Sequence, residues 1–260
     1  MNWLNEIVEY KKAEVRNCKE TYALSKLEAA KMFDRVPLKL TDYIRNPERS
    51  GIIAEFKRKS PSRGIINTHS GIEEVTTGYF RSGASGLSVL TDLQFFGGTL
   101  TDLKRARELN PIPILRKDFI IDKYQIAEAK AAGADVILLI AAILDIQTTY
   151  NLAAYAKSLQ LEVLLEVHEQ SELDHINEFI DIVGVNNRDL KTFRVETELS
   201  VELFSAIPSH LVKISESGIS SPVIMKRLRS CGYDGFLIGE SFMSTPDPAK
   251  AFSDFIQLVI

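Results

Sequence analysis

The pattern of hydrophobic positions changes at Gly51. Ahead of it, apolar residues recur every three or four positions between Lys and Glu, which predicts helix over residues 2–36 and again over Leu40–Asn46. A proline follows each of these segments and ends it. No strand pattern occurs in this part of the sequence, so we expect residues 1–48 to form a helical extension.

Beyond Gly51, short apolar runs alternate with amphipathic segments of helical period. The predicted strands are Ile52–Phe56, Gly86–Leu90, Ile112–Arg116, Val136–Ala141, Val163–Val167, Ile182–Val185, Leu211–Ser215 and Gly235–Ile238. The predicted helices are Ile72–Ser82, Leu100–Leu109, Lys123–Ala132, Ile146–Ser158, Ser171–Glu178, Val201–Ala206, Ser221–Arg229 and Asp247–Val259. Apolar strands separated by helices are typical of a parallel sheet, and eight such units are typical of a closed barrel.

The pattern therefore predicts one α/β domain over residues 1–260, a single (β/α)8 TIM barrel at 49–260 with the N-terminal helical extension ahead of it. Gly83, Gly133 and Gly232 support this prediction, because each falls between a helix and the next strand, where a helix C-cap is expected. An open doubly wound sheet is the alternative. It needs about six strands and usually a glycine-rich first turn, and the first loop contains no GxGxxG motif.

Composition and charge narrow the class of protein. The 260 residues are 45% hydrophobic and 25% charged, with a formal net charge of −4, which implies no general affinity for nucleic acid. The N-terminus does not resemble a signal peptide, and the longest apolar run, Val136–Leu144, is about half of a membrane span. The two cysteines, Cys18 and Cys231, are far apart in the sequence and suggest no disulfide framework, which fits a protein of a reducing compartment. We expect a cytoplasmic protein that binds neither membrane nor nucleic acid.

Charged and polar residues follow most of the predicted strands. Barrel enzymes carry their sites at the C-terminal strand ends, so these side chains are expected around one mouth: Glu55, Lys57, Thr91, Asp92, Lys117, Asp118, Glu166, Asn186, Asn187, Arg188, Glu216 and Glu240. An unpaired carboxylate inside an apolar run is costly, so Glu166 needs a cationic partner, either Lys57 or Lys117. Such a pair suggests acid–base chemistry, with the pKa of the lysine lowered and the pKa of the glutamate raised.

The loops after the last two strands predict an anion site. Residues 217–221 and 239–241 are rich in glycine and serine, and such loops let backbone N–H groups approach a phosphate. Ser60 and Lys57 are expected to approach the same anion, whereas the carboxylate of Glu240 would repel it unless it points away. The four histidines lack metal-ligand spacing, so no metal is expected, and His168 is interpreted as structural.

At these strand ends the sequence resembles the indole-3-glycerol-phosphate synthase family of tryptophan biosynthesis. The resemblance covers the whole chain and is carried by residues 53–62, 90–92, 95–98, 114–120, 165–167, 184–190, 215–219 and 236–241. It implies a lyase that closes the ring of 1-(2-carboxyphenylamino)-1-deoxyribulose 5-phosphate, giving indole-3-glycerol phosphate, CO₂ and water. It also implies that the reaction uses no cofactor and no metal.

The resemblance assigns roles to individual residues. Lys117 would be the general acid in ring closure and Glu166 the general base in dehydration. Lys57 would bind the substrate anion and donate a later proton, oriented by Glu55. The sugar hydroxyls and the anthranilate part would contact Asn186, Arg188 and Glu216. The phosphate would contact Ser60, Ser217, Gly218, Gly239, Glu240 and Ser241. Phe96 would stack on the substrate ring, with Leu138 or Leu139 nearby.

Several alternatives stay open on the sequence alone. Phosphoribosylanthranilate isomerase, a neighbouring barrel, relies on a Cys–Asp pair at strand ends, and neither cysteine follows a predicted strand. A catalytically inactive barrel that serves as a binding module would be expected to lose Lys117 or Glu166. The helical extension could cover the bottom or side of the barrel or lie at its mouth, and the resemblance favours the mouth. The expected partner is the phosphorylated substrate alone, with a monomer that associates at most weakly with other pathway enzymes.

Overall fold

Eight parallel strands close into a barrel. The structure, a computed structural model, describes residues 3–259. We number the barrel strands in chain order: β1 Ile52–Phe56, β2 Gly86–Leu90, β3 Ile114–Lys117, β4 Val136–Ile140, β5 Glu162–Val167, β6 Ile182–Asn186, β7 Val212–Glu216 and β8 Gly235–Ile238. Each strand pairs with its sequence neighbours, and β1 pairs with both β2 and β8, which closes the ring. The predicted (β/α)8 barrel is confirmed, and the open sheet is excluded.

Helices cover the outside of the barrel and precede it. The α-helices are Trp3–Thr21, Leu24–Glu28, Leu40–Arg45, Ile72–Arg81, Leu93–Phe96, Leu100–Leu109, Lys123–Ala132, Ile146–Ser158, Glu198–Leu203, Pro222–Ser230, Glu240–Met243 and Pro248–Gln257. Short 3₁₀ turns span Ala141–Ile143, Gln170–His175 and Phe204–Ala206. In the first loop, Lys59–Ser60 and Gly64–Ile65 form a small antiparallel hairpin. Among the described residues, no helix is long and apolar enough to cross a membrane.

The barrel interior and the barrel wall form two separate apolar layers. Strand residues alternate between the layers, since successive side chains point to opposite faces. In β4, for example, Leu138 packs inside the barrel and Leu139 packs outward beneath the helices. The same alternation points the last residue of several strands into the mouth: Lys117 on β3, Asn186 on β6 and Glu216 on β7.

The N-terminal helices run from the mouth of the barrel down its side to its bottom. Trp3 lines the cavity at the mouth, and Ile7 packs into the inner apolar layer. Leu27 packs on the side, against the helix Lys123–Ala132. Leu40 fills the bottom, where a Cβ on Gly86, the first residue of β2, would collide with it. The sequence left open whether the extension covers the bottom or side of the barrel or lies at its mouth. Different parts of the extension lie at all three places.

The single helix predicted over residues 2–36 is wrong beyond Thr21; residue 2 lies outside the described residues. Val15 and Leu27 pack on the same surface, formed by Tyr124 and Ala127. A continuous helix would separate Val15 from Leu27 by about 18 Å along its axis, and the end of the helix at Thr21 allows the chain to turn between them.

The helix predicted over Ser171–Glu178 is wrong as well, because a 3₁₀ turn takes its place and ends at His175. The side chain of Asn177 donates to the carbonyl of His175 and accepts from the amide of Phe179. These local bonds compete with helical hydrogen bonds.

Candidate active site

A lysine ammonium lies between two carboxylates at the centre of the barrel mouth. Lys117 Nζ is 2.6 Å from Glu166 Oε2 and 2.8 Å from Glu216 Oε2. The three residues come from β3, β5 and β7, and alternate strands supply one layer of the barrel interior. All three side chains are at least 86% shielded from solvent, Lys117 being the most exposed at 14%. The partner that Glu166 needs is thus Lys117, and Lys57 pairs elsewhere.

The electrostatics of this triad correct two expectations. Burial alone would lower the pKa of Lys117, but Glu166, Glu216 and Glu55 outweigh it and raise the pKa. Burial would raise the pKa of Glu166, but Lys117 and His168 outweigh it and lower the pKa. The sequence predicted the reverse for both residues, because it could not show that Lys117 lies close to three carboxylates. Lys117 is held protonated, and Glu166 is held ionised.

Glu216 is the carboxylate whose pKa is raised, to about 7. Burial is the main cause, and the negative charges of Glu166 and Glu55 add to it against the attraction of Lys117. Its Oε1 is buried and has no hydrogen-bond partner among the described residues. Gly184, on β6, makes room for this group, since a Cβ there would collide with the carboxylate. A group poised near neutrality with an unpaired oxygen in a cleft is a candidate for substrate contact.

Glu55 and Lys57 form a second pair beside the triad. Lys57 Nζ is 2.9 Å from Glu55 Oε1, and Ser88 Oγ donates to Glu55 Oε2 at 3.1 Å. Gly239, at the end of β8, lies so close that a Cβ would be 2.7 Å from Glu55 Oε1. The backbone after β8 therefore packs directly on Glu55, which joins this pair to the loop predicted to hold an anion.

His168 is a residue of this site that sequence reasoning missed. Its Nε2 lies 3.3 Å from Glu166 Oε1, and its Nδ1 lies 3.4 Å from Glu172 Oε2. Burial opposes the charged imidazole, but the two carboxylates raise the pKa of His168 to about 9. Asn186 Nδ2 also donates to Glu166 Oε1, at 3.2 Å. The signal was the spacing, because a residue two positions after Glu166 leaves the same face of the strand.

Aromatic side chains form one wall of the mouth. Phe96 packs against Phe119 with ring centroids 5.9 Å apart, and Trp3 packs edge-on against Phe119 and Phe193. Leu138 lines the same cavity, and Leu139 does not, which decides between the two leucines that the sequence offered. Trp3, Phe119 and Phe193 come from three distant segments, so their meeting was not predictable from local pattern.

A second cavity adjoins the first and contains the two glycine-bearing loops. It is lined by Lys57, Arg63, Arg188, Ser217, Gly218, Ile219, Gly239, Glu240 and Ser241, among others. Ser217 and Gly218 are consecutive left-handed residues, with φ of 62° and 77°. For serine this conformation is uncommon and is often a feature of functional sites. Ser60 lines the first cavity rather than this one, while its neighbours Ser62 and Arg63 line the second.

The carboxylate of Glu240 points at two arginines. It accepts from Arg188 Nη2 at 2.9 Å and pairs with Arg63 Nε at 2.9 Å. Ser241 Oγ donates to the carbonyl of Ile219 at 3.1 Å, so its hydroxyl links the two loops.

Asn187 was also expected near the mouth, but it has a structural role. Its Nδ2 donates to the backbone carbonyls of Glu216 and Ser217. The sequence could not distinguish it from Asn186. Within residues 3–259, no group of three His, Cys, Asp or Glu side chains is arranged to hold a metal ion.

The family model for indole-3-glycerol phosphate synthase matches residues 4–255. The chain belongs to the indole-3-glycerol phosphate synthase family. It is 46% identical to the indole-3-glycerol phosphate synthase of Bacteroides thetaiotaomicron over 262 residues, covering 98% of each chain. It is 40% identical to that of Prochlorococcus marinus over 269 residues, covering 99% of this chain and 90% of the relative.

A comparison of structures extends the likeness to the fold alone. The 3-hexulose-6-phosphate synthase of Salmonella typhimurium superposes with a TM-score of 0.60 at 15% identity, covering 80% of this chain and 97% of the other. The isomerase alternative finds no support among these observations. Cys18 lies on the first helix, and Cys231 follows the helix Pro222–Ser230, so neither is at the C-terminal end of a barrel strand. The synthase family is instead matched from the first helix to the last.

Proposed function

We propose that this protein is an indole-3-glycerol-phosphate synthase that converts 1-(2-carboxyphenylamino)-1-deoxyribulose 5-phosphate into indole-3-glycerol phosphate, CO₂ and water. The observation that carries the proposal is the position of Lys117 Nζ between the carboxylates of Glu166 and Glu216, in a cavity that Phe96 and Phe119 also line. This arrangement supplies an acid and a base within one substrate's length of each other. A carboxy-lyase that closes a ring needs both.

Ring closure is assigned to Lys117. The ring carbon that bears the carboxylate attacks the keto carbon, and the carbonyl oxygen takes a proton from Lys117 as the new C–C bond forms. The raised pKa of Lys117 keeps it protonated until the transition state, when the developing alkoxide is more basic than an amine. CO₂ then leaves, and the electrons of its bond restore the aromatic ring.

Dehydration is assigned to Glu166 and Lys57. The ionised Glu166 removes a proton from the carbon next to nitrogen, and the hydroxyl leaves as water with a proton from a lysine ammonium. In this proposal Lys57 gives that proton, and its ion pair with Glu55, at 2.9 Å, orients it. Asn186 and His168 orient Glu166 from its other oxygen. Glu216 is assigned to a substrate hydroxyl, for which its unpaired Oε1 is the acceptor.

Binding is divided between the two cavities. The carboxyphenyl ring would lie between Phe96, Phe119 and Leu138, with Ser60 nearby. The phosphate would enter the second cavity, against the backbone of residues 217–218 and 239–241, with Lys57 and Arg188 as its cations. In this proposal Glu240 contacts the phosphate only through its backbone. The protein would act as a cytoplasmic monomer, with 1–48 as an extension of the barrel at 49–260.

A fluorescence assay that follows the formation of indole-3-glycerol phosphate from the carboxyphenylamino-deoxyribulose phosphate tests the proposal. The folded protein should turn the substrate over without added cofactor or metal. Absence of turnover by wild type whose circular dichroism and unfolding transition show a folded protein would refute the assignment.

A further inference from the structure

One carboxylate bridges two arginines across the cavity assigned to the phosphate. Glu240 Oε2 accepts from Arg188 Nη2, and Glu240 Oε1 pairs with Arg63 Nε, both at 2.9 Å. The three residues come from separate loops: Arg63 from the hairpin after β1, Arg188 after β6 and Glu240 after β8. All three line this cavity, and Arg188 and Glu240 line the first cavity as well. Glu240 binds both arginines with the geometry that an anion would use.

The charges around the cavity explain why a carboxylate is there. Among the described residues, three cations line it: Lys57, Arg63 and Arg188. The carboxylate of Glu55 pairs with Lys57, and that of Glu240 pairs with the two arginines. Arg188 makes only weaker contacts besides Glu240, donating to Ser62 Oγ at 3.3 Å and to a backbone carbonyl at 3.5 Å. Without Glu240, two guanidinium groups would face each other with no anion between them.

We propose that Glu240 is an internal stand-in for the substrate phosphate, which displaces it and takes Arg63 and Arg188 as ligands. This inference rests on the proposed function, since it concerns the phosphate of that substrate. It adds Arg63 as a phosphate-binding residue, which the sequence did not predict. It also gives the carboxylate of Glu240 a role that fits an anion site, because it competes with the phosphate rather than adding to its binding.

The three side chains differ in exposure: Arg63 is 67% exposed, Glu240 25% and Arg188 21%. The pair of Glu240 with Arg63 lies near solvent, where ion pairs contribute little to stability, so it is the easier of the two to displace. A phosphate offers more charge and more acceptor oxygens than one carboxylate, so the two arginines bind it better. Glu240 is the first residue of the four-residue helix Glu240–Met243, and we infer that its side chain turns toward solvent when the phosphate binds.

Titration with inorganic phosphate, followed by calorimetry, tests the inference without any need for turnover. The proteins are wild type, Glu240→Gln, Arg63→Ala and a matched control, Asp254→Asn, which removes the same charge from a remote exposed pair with Lys250. Glu240→Gln should bind phosphate roughly three- to tenfold more tightly than wild type, since a competing ion pair of ordinary strength is removed. Asp254→Asn should bind as wild type does, and Arg63→Ala should bind several-fold more weakly.

Two results would overturn the inference. Weaker or unchanged phosphate binding by Glu240→Gln would mean that Glu240 positions the arginines instead of competing for them. No saturable binding by any of the four folded proteins would mean that the cavity is not a phosphate site. Failure of the synthase assignment is a separate result, because it is measured by turnover of the wild type.

Discussion

The buried ammonium of Lys11, on the first helix, forms an ion pair with Asp118, the residue that follows Lys117. Lys11 Nζ lies 2.9 Å from Asp118 Oδ1 and 2.8 Å from Asp92 Oδ2, and its side chain is 1% exposed. Asp92 in turn accepts from the amide of Phe96. One cation of the extension therefore holds the ends of β2 and β3, and with them both the proposed general acid and the aromatic wall.

Replacing Lys11 should weaken substrate binding as well as stability. Lys11→Met keeps the length of the side chain but leaves Asp92 without its cation, and breaking a buried pair costs about 3–5 kcal/mol. Asp118 loses one of its two cations and keeps Arg116, whose Nη2 is 3.0 Å from Asp118 Oδ2. We expect a lower melting temperature and a severalfold higher KM, because the loops that carry Phe96 and Lys117 lose their anchor. Lys12→Met, at the adjacent exposed position, is the control.

Deleting residues 2–40 would also test whether the extension shapes the site, but that deletion removes Leu40, which fills the bottom of the barrel. A change in KM could then come from a damaged barrel, so Lys11→Met is the more specific test. An unchanged KM in a folded Lys11→Met protein would show that the first helix does not shape the site.

Removing His168 should move the pH dependence of turnover. The imidazolium beside Glu166 helps to hold the pKa of Glu166 low. In His168→Asn that pKa rises, so the acidic limb of the kcat profile should move to higher pH. The exposed His210→Asn variant should keep the wild-type profile. A purely structural His168 would lower stability and leave the position of the limb where it was.

Glu216 should make stability depend on pH near neutrality. Its pKa is raised from 4.5 to about 7, so the folded protein retains a proton there that the unfolded chain has released. The stabilisation is complete below pH 4.5 and is lost as the pH rises through 7. Over that range wild type loses roughly 3 kcal/mol relative to Glu216→Gln, which keeps the neutral form.

Melting curves at pH 5 and pH 8 measure this effect. The melting temperature of Glu216→Gln minus that of wild type should be larger at pH 8, while the exposed Glu20→Gln should show no such change. An equal difference at both pH values would contradict the raised pKa.

Elements set by local pattern were predictable from the sequence. The bounds of β1, β2 and β8 and of the helices Leu100–Leu109 and Ile146–Ser158 are as predicted, because apolar runs and helical periods fix them without help from distant segments. The family resemblance carried the site residues, and the period of two within each strand placed their side chains in one mouth.

The features that the sequence did not predict depend on contacts between distant segments. The first helix ends at Thr21, and Val15 and Leu27, on either side of that end, share one apolar cluster with Tyr124 of a later helix. The direction of the Lys117 pKa shift depends on three carboxylates from other strands. The pairing of Arg188 with Glu240, 52 positions away, depends on barrel closure. None of these has a local signal, and the last two change the chemistry assigned to a residue.

The rates at which wild type and Lys117→Ala form indole-3-glycerol phosphate, measured side by side, test whether Lys117 is the general acid of ring closure. We expect turnover by wild type and a loss of about 10²–10⁴-fold in kcat for Lys117→Ala, with a much smaller change in KM, because the acid acts in the transition state. Lys250→Ala, at an exposed pair, should match wild type. A Lys117→Ala protein with nearly unchanged kcat would contradict the account, because the proton for ring closure would then come from another group.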